Sequence, residues 1–168
     1  MGISIGRLEE KHIRAIIEAT KGTNVKRQAD YLEMCIRESR EKKRIILAAF
    51  IEDEFAGLAN LIFLSDYPYF KENNIPEIND LLVTPKYRNQ GIGSRLIDEM
   101  EAHAKDTYKY IGLGVGLYKD YGAAQRLYSR KGYIPDGNGL MYNNLEAVPG
   151  SHVRVDNDLL LYLVKQLS

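Results

Sequence analysis

The pattern of apolar and polar positions predicts strands that alternate with helices. Apolar residues run almost without a break from Ile45 to Ile51, which predicts a strand covered on both faces. A short acidic turn follows, and Phe55–Phe63 is predicted to return as the antiparallel partner of that strand. From Gly91 onward, apolar residues repeat at helical spacing with charged residues on the opposite side. This stretch is therefore predicted to be an amphipathic helix that ends near Asp106.

The rest of the chain continues the alternation. From the N-terminus, the order is strand, two helices, three strands, helix, strand, helix and two strands. This order predicts an α/β (α+β) fold with a mixed sheet and helices on both faces, in a single domain over residues 1–168. The further predicted elements are strands around Ile3–Ile5, before Pro85, at Ile111–Leu117, from Tyr133 to Tyr142 and at Leu159–Lys165, and helices around Ile13–Ile17, Val25–Arg40 and Tyr121–Arg130.

Two segments are candidates for contact with a ligand. Residues 65–74 form a long aromatic and polar connection, which predicts either one wall of an acceptor site or a surface loop. The strand Ile111–Leu117 alternates branched residues with Gly112, Gly114 and Gly116. Glycine allows neighbouring groups to approach closely, so we expect a flat ligand arm or a neighbouring helix to pack on this side.

Composition and charge exclude several classes of function. The 168 residues carry 23 Lys and Arg against 23 Asp and Glu, and a net charge of zero argues against bulk binding of nucleic acid. The single Cys35 cannot form an intramolecular disulfide and is predicted to lie in the core. The three His residues are too scattered to predict a metal site. No apolar run is long enough for a signal peptide or a membrane span, so we expect a cytoplasmic protein with no membrane partner.

Residues 79–95 change from an apolar strand to a helix across a short polar turn, and they carry the strongest functional signal. The start of a helix has unpaired backbone N–H groups and the positive end of the helix dipole, so it favours an anion. Gly91 and Gly93 allow a ligand to approach this backbone, and Arg88 and Arg95 flank it with positive charge. The pattern predicts a pyrophosphate site. The alternative is a plain strand-to-helix turn.

The whole string is more specific than its glycines alone. A strand, Val83-x-Pro85 and then Arg88-x-x-Gly91-x-Gly93 at the start of an amphipathic helix resembles the acetyl-CoA motif of the Gcn5-related N-acetyltransferases, the GNAT family. No Gly-Lys-Ser/Thr follows, which excludes a Walker nucleotide loop, and the third glycine of a dinucleotide fingerprint is missing. The predicted order of elements is similar to the GNAT fold from end to end. This implies a mostly antiparallel central sheet.

The resemblance also implies where acetyl-CoA would bind. Backbone N–H groups of the turn and the helix start would hold the pyrophosphate. In the family a bulge opens this strand near the positions of Leu82 and Val83. Backbone N–H groups there would bind the acetyl carbonyl. The position of the family's usual Asn is Tyr121 here, and a tyrosine hydroxyl is the candidate replacement for its hydrogen bond to the cofactor arm. The implied cofactor-binding residues are Leu82, Val83, Arg88, Asn89, Gln90, Gly91, Ile92, Gly93, Ser94 and Tyr121.

Acetyl transfer to an amine needs a base for the amine proton and an acid for the departing thiolate. The segment Ala124–Tyr133 resembles the family element Ala-x-x-Leu-Tyr-x-x-x-Gly-Phe/Tyr, which implies that Tyr128 protonates the coenzyme sulfur. The alternative is a core tyrosine. Glu77 lies eleven positions before Arg88, an offset similar to that of the glutamate base in histone-type members. Asp80 or a water chain could serve as the base instead. Glu77 could also be a solvated residue at the start of the strand, with no role in catalysis.

These features predict an N-acetyltransferase that transfers an acetyl group from acetyl-CoA to a primary amine by direct attack in a ternary complex. Acidic and aromatic residues favour a cationic small-molecule acceptor, with a protein N-terminus or lysine also open. The rivals are a non-catalytic acetyl-CoA-binding module and a general nucleotide-binding protein. The oligomeric state is open, with a homodimer as one option. The acidic and aromatic residues are Asp66, Tyr67, Tyr69, Glu72, Glu77 and Asp80.

Overall fold

The computed structural model describes residues 2–168 and, within them, eight strands and five α-helices. Every strand and helix predicted from the sequence is present, and the short α3 and β7 are additional. The strands are β1 (Ile3–Arg7), β2 (Arg44–Ile51), β3 (Glu54–Ile62), β4 (Glu77–Val83), β5 (Tyr110–Gly116), β6 (Ile134–Tyr142), β7 (Leu145–Glu146) and β8 (Leu159–Gln166). The helices are α1 (Ile13–Thr20), α2 (Ala29–Arg40), α3 (Pro68–Glu72), α4 (Ile92–Ala104) and α5 (Gly122–Arg130).

The strands form one sheet in the order β1-β2-β3-β4-β5-β8-β6-β7. β2 and β3 form the antiparallel hairpin that the sequence predicts. β8 is antiparallel to both β5 and β6, whereas β4 and β5 are parallel and pair at Glu77↔Gly112 and Ile78↔Leu113. The predicted mixed, mostly antiparallel sheet is confirmed.

Contacts within the chain divide it into two compact units. The first unit contains the residues up to Ile62 together with Asn79–Met100. The second contains Phe63–Ile78 together with Glu101–Ser168. Each unit has a hydrophobic cluster of its own. The single domain that chain length suggests stays a prediction.

In the first unit, α1 and α2 pack on one face of β2 and β3. Ile16 of α1 and Leu32 of α2 are fully buried, together with Ile46 of β2 and Leu58 of β3. These residues are the apolar positions of the helical and strand patterns, so burial follows the periodicity of the sequence. Cys35 is a free, buried thiol in the same cluster, as predicted.

The opposite face of β3 contacts α4. Gly57 precedes Leu58 in the strand, so the two residues point to opposite faces of the sheet. A Cβ atom at Gly57 would lie 3.4 Å from Ile92 and 3.5 Å from Leu96. Helices therefore cover both faces of the sheet within this unit, as expected from the order of elements.

The second unit is built around aromatic side chains. Tyr67 and Tyr162 stack with their ring centroids 3.8 Å apart, and the Phe70 ring meets Tyr162 edge-on at 5.2 Å. Residues 65–74 are consequently more than a surface loop, because Tyr67 and Phe70 are buried core residues. Pro68 stands in the first turn of α3, where its missing N–H has no helical partner to lose.

The glycines of β5 make room for aromatic rings of the protein itself. An added Cβ atom at any of the three would collide with a ring or come within 3.0 Å of one. Aromatic side chains of the same unit therefore occupy the space in which a flat ligand arm or a neighbouring helix was expected. The pairs are Gly112 with Phe70, Gly114 with Tyr162, and Gly116 with Tyr121.

The start of α2 differs from the sequence prediction. The helix begins at Ala29, four residues after Val25, and the backbone of Gln28 is extended, with φ −105° and ψ 153°. The Arg27 guanidinium explains the difference, because its Nη1 donates to the carbonyl oxygens of Val25 and Lys26, at 3.0 Å each. The side chain thus occupies backbone groups that a longer helix would use.

Candidate active site

The end of β4 is fixed against β3 and leads directly into the predicted pyrophosphate loop. Thr84 donates to the carbonyl oxygen of Ala56 from its N–H, at 2.9 Å, and from its hydroxyl, at 3.3 Å. The carbonyl oxygen of Leu82 would lie 2.6 Å from a Cβ atom at Gly57, so this close approach requires glycine. A 3-10 turn at Pro85–Tyr87 follows.

Two residues of the next loop adopt left-handed backbone conformations. Asn89 has φ 61° and Gly91 has φ 79°, and α4 begins at Ile92. The Arg95 N–H donates to the Gly91 carbonyl at 3.0 Å, so the N–H groups of the helix that precede it have no acceptor within the helix. A Cβ atom at Gly91 would have no protein atom within 4 Å. Backbone donors beside open space are the properties of an anion site.

Basic side chains stand next to this loop. Arg88 is exposed, and its Nη2 donates to Oδ1 of Asn24 at 3.2 Å while its Nε donates to the Val83 carbonyl at 3.4 Å. Arg95 is exposed on the first turn of α4. Ile92, in contrast, is buried, so only its backbone is able to contact a ligand. The loop therefore combines two guanidinium groups with main-chain donors.

Glu77 is a buried carboxyl group at the first position of β4. Its exposed fraction is 7%, which argues against a merely solvated strand entrance. The Ser65 hydroxyl donates to Oε2 of Glu77 at 2.8 Å, and the same hydroxyl accepts the Tyr67 N–H at 3.0 Å. Ser65 thus links the carboxyl group to the start of the 65–74 connection.

Tyr128 is a buried phenol on α5. It is 7% exposed, and its ring meets the Tyr133 ring edge-on at 6.3 Å. Burial, followed by the nearby Tyr121, raises the pKa of Tyr128 to about 12. The phenol is therefore protonated at neutral pH and is chemically able to donate a proton.

Tyr121 precedes α5, and both its ring and its hydroxyl contact other residues of the second unit. The ring lies against Gly116, and the hydroxyl donates to Oδ1 of Asn157 at 2.8 Å. Tyr118 donates to the same amide oxygen, and the two tyrosine rings meet edge-on at 5.0 Å. Its proposed contact with a cofactor arm stays a prediction.

Comparison with known proteins identifies the family. A family model for the acetyltransferase (GNAT) family matches residues 11–133. The chain belongs to this family. A search of curated proteins finds no match for this GNAT chain.

Solved structures share the GNAT fold over nearly the whole chain. An N-acetyltransferase from Staphylococcus aureus Mu50 is 16% identical, with a TM-score of 0.74 and coverage of 100% of both chains. The protein yncA from Salmonella typhimurium, solved with its cofactor acetyl-CoA, is 17% identical, with a TM-score of 0.69 over 100% of this chain and 95% of that one. The ribosomal-protein-S18-alanine N-acetyltransferase from Escherichia coli is 15% identical, with a TM-score of 0.69 over 99% and 95%. At these identities the likeness shows the fold alone.

Several carboxylates of this GNAT protein gather around Tyr162 in the second unit. Burial first, and then the charges of Glu77, Asp66 and Asp136, raise the pKa of the Tyr162 phenol. Asp136 also accepts a hydrogen bond from the Tyr67 hydroxyl at 2.7 Å. The sequence offered no signal for Asp136, because 69 positions separate it from Tyr67.

The sequence-predicted residues divide between the two units of the GNAT chain. Leu82, Val83 and residues 88–94 lie in the first unit, and Glu77, Tyr121 and Tyr128 lie in the second. Across residues 2–168, no group of three or more His, Cys, Asp or Glu residues is arranged to hold a metal ion. Within the same range, no helix has the length and apolar character needed to cross a membrane.

Proposed function

We propose that the protein is an acetyl-CoA-dependent N-acetyltransferase that acetylates a primary amine of a cationic small molecule, by direct attack in a ternary complex. The observation that carries the proposal is the loop from Arg88 to Ile92. Its left-handed residues, its open space beside Gly91 and the unpaired N–H groups of α4 fit a pyrophosphate. Because the chain belongs to the acetyltransferase family, we expect the bound pyrophosphate to be that of coenzyme A.

Acetyl-CoA supplies the activated acetyl thioester, and the chain supplies binding and proton transfer. Backbone N–H groups at residues 89–94 hold the pyrophosphate, and Arg88 and Arg95 offset its charge. Leu82 and Val83 contribute main-chain groups from the end of β4. The hydrogen bond from Thr84 to Ala56 holds this end against β3, and Gly57 of β3 allows the close approach.

Two side chains account for the protons. Glu77 is the proposed base that takes a proton from the attacking amine, because it is a buried carboxyl group that Ser65 orients by a hydrogen bond. Tyr128 is the proposed acid that protonates the departing thiolate, because burial keeps its phenol in the neutral form. Counted from the neutral amine, the nitrogen loses one proton and the sulfur gains one, so the transfer is balanced.

The second unit supports a cationic acceptor. Asp66, Glu77 and Asp136 place negative charge around the aromatic cluster of Tyr67 and Tyr162. Carboxylates favour an ammonium group by charge, and Tyr69, which is 36% exposed, offers an accessible aromatic ring beside Tyr67. The acceptor must lose its proton at the reacting nitrogen, so a molecule with a second, remote cationic group fits this arrangement best.

A panel of amines tests the acceptor class. Free-thiol release from acetyl-CoA should be compared for diamines, neutral monoamines of equal length and peptides with a free N-terminus. We expect the highest kcat/KM for the dications. A preference for peptides would move the acceptor to a protein N-terminus, and equal rates for charged and neutral amines would remove the role of the carboxylates.

The same panel separates catalysis from mere binding. Calorimetry with acetyl-CoA, ATP and NAD tests the other rival, a general nucleotide-binding protein, and we expect a preference for acetyl-CoA. Tight coenzyme binding with no turnover on any amine would favour the non-catalytic module instead. Preference for ATP or NAD would refute the cofactor assignment.

A further inference from the structure

Asp80 has an unusual backbone conformation, and the proposed chemistry does not use it. Its φ of 52° places a non-glycine residue in the left-handed region in the middle of β4. A left-handed residue inside a strand disrupts regular pairing and bends the strand locally. Such a conformation persists where the surroundings hold it in place.

The carboxylate of Asp80 is held by Arg27 and Tyr31. Arg27 contacts both oxygens, with Nε donating to Oδ2 at 3.0 Å and Nη2 donating to Oδ1, and the Tyr31 hydroxyl donates to Oδ2 at 2.8 Å. The Arg27 and Asp80 side chains are only 23% and 13% exposed. Burial lowers the pKa of Arg27, but the hydrogen bonds and the charge of Asp80 raise it above its ordinary value, so Arg27 stays protonated. A two-point contact of this kind fixes the orientation of both partners.

A polar network continues from Tyr31 through the first unit. Asn60, fully buried on β3, donates from Nδ2 to the Tyr31 hydroxyl at 3.4 Å. Arg44 of β2 donates from Nη1 to Oδ1 of Asn60 at 3.2 Å and from Nε to Oε2 of Glu38 at 2.8 Å. The network joins α2, β2, β3 and β4. A buried network with its donors and acceptors satisfied specifies one geometry.

The segment between α1 and α2 extends this linkage to the coenzyme loop. Arg27 organises the segment through the carbonyl oxygens of Val25 and Lys26 while it binds Asp80. Asn24, three positions earlier, accepts the hydrogen bond from Nη2 of Arg88. The residue that holds Asp80 therefore also shapes the segment that contacts the exposed arginine of the loop.

We propose that Arg27 and Asp80 are positioning residues for coenzyme binding: their ion pair fixes the irregular backbone of β4 and places Asn24 so that Arg88 is oriented towards the pyrophosphate. The inference rests on the proposed function, because it requires the coenzyme at this loop. It also gives Asp80 a role other than a base or an acceptor-binding charge. Both carboxylate oxygens already accept hydrogen bonds, and a guanidinium offsets the charge.

The second unit provides a matched control. Lys165 donates to both oxygens of Glu101 at 2.9 Å, and the Tyr133 hydroxyl donates to Oε1 at 3.0 Å. The Lys165 and Glu101 side chains are 27% and 17% exposed, close to the values for Arg27 and Asp80. Arg27→Met and Lys165→Met therefore each remove the cation from a carboxylate that keeps a tyrosine donor. We expect both variants to lose thermal stability, with the larger loss for Arg27→Met, because Arg27 also donates to the carbonyl oxygens of Val25 and Lys26.

Coenzyme affinity should separate the two variants. Calorimetry with coenzyme A should show a loss of about tenfold for Arg27→Met, a mid-range value for groups coupled through one network, and a change below about twofold for Lys165→Met. At saturating acetyl-CoA, kcat of Arg27→Met should stay within about threefold, because the pair acts on binding and not on proton transfer. Arg27→Lys should restore part of the affinity, since lysine supplies the positive charge but cannot donate two parallel hydrogen bonds to the carboxylate.

Three results would overturn the proposal. The first is unchanged coenzyme affinity in folded Arg27→Met, and the second is an equal loss in Lys165→Met. The third is a fall in kcat of about 100-fold or more in Asp80→Asn together with loss of the acidic limb of its pH profile, which would make Asp80 the base. If Arg27→Met does not fold, Tyr31→Phe and Asn24→Ala each remove one link, and unchanged affinity in both refutes the proposal. A wild-type protein that does not bind coenzyme A refutes the proposed function itself.

Discussion

Replacing Gly91 by aspartate introduces a carboxylate into the loop that is proposed to hold pyrophosphate. The residue has φ 79°, and a side chain in the left-handed region costs about 1–2 kcal/mol. For a domain of this size, that cost lowers Tm by about 2–8 °C. The new Cβ atom would meet no protein atom within 4 Å, so no steric clash adds to this loss. The variant should remain folded.

The effect on coenzyme binding should be much larger than the effect on folding. Two like charges about 4 Å apart repel by about 1 kcal/mol in water and about 4 kcal/mol near a protein surface. These energies correspond to a loss of affinity of roughly 5-fold to 1,000-fold. Because the repulsion is electrostatic, the loss should shrink as salt is added.

Gly150→Asp is the matched control for this experiment. Gly150 has φ 84°, and a Cβ atom there would also have no protein atom within 4 Å. It lies between β7 and β8, outside every predicted cofactor contact. Both variants should therefore lose similar stability in a melting curve, whereas calorimetry with coenzyme A should show a loss of affinity for Gly91→Asp only. Wild-type affinity in folded Gly91→Asp would show that the loop does not hold phosphate.

Further predictions concern the proton transfers. Tyr128→Phe keeps the ring, so stability and KM for acetyl-CoA should change little, whereas kcat should fall by about 10²–10⁴-fold. Near-normal turnover in rate measurements would leave Tyr128 as a core residue. The acid must be protonated to act, and its pKa is raised to about 12. A kcat profile should therefore show no loss from this group up to about pH 10. An alkaline limb below that pH that Tyr128→Phe abolishes would keep Tyr128 as the acid but contradict its raised pKa. Glu77→Gln should lower kcat by at least about 10²-fold, while Asp66→Asn should mainly raise KM for a dicationic amine, and the reverse pattern in steady-state kinetics would exchange their roles.

Periodicity predicted most of the fold because burial in this chain follows it closely. The apolar run of β2 and the amphipathic stripe of α4 lie where the sequence places them. The sequence prediction was wrong at the start of α2, where Arg27 binds the carbonyl oxygens of Val25 and Lys26. That result depends on tertiary contacts with Asp80, which no local pattern contains.

The candidate site shows the same division between local and distant information. The loop from Arg88 to Gly91 is a contiguous motif, so its place directly before α4 was predicted from the sequence. Asp136 and the left-handed conformation of Asp80 could not be predicted. The first depends on a contact across 69 positions, and the second on side chains from α2 and the segment before it.

Acetyl transfer itself is tested most directly by measuring free-thiol release from acetyl-CoA with and without an amine, while mass spectrometry identifies the acetylated product. We expect release only when an amine is present, with one acetylated amine formed for each thiol. Coenzyme binding without amine-dependent release, for any amine of the panel, would contradict the proposed enzyme. A stoichiometric burst of thiol in the absence of amine would contradict direct attack in a ternary complex.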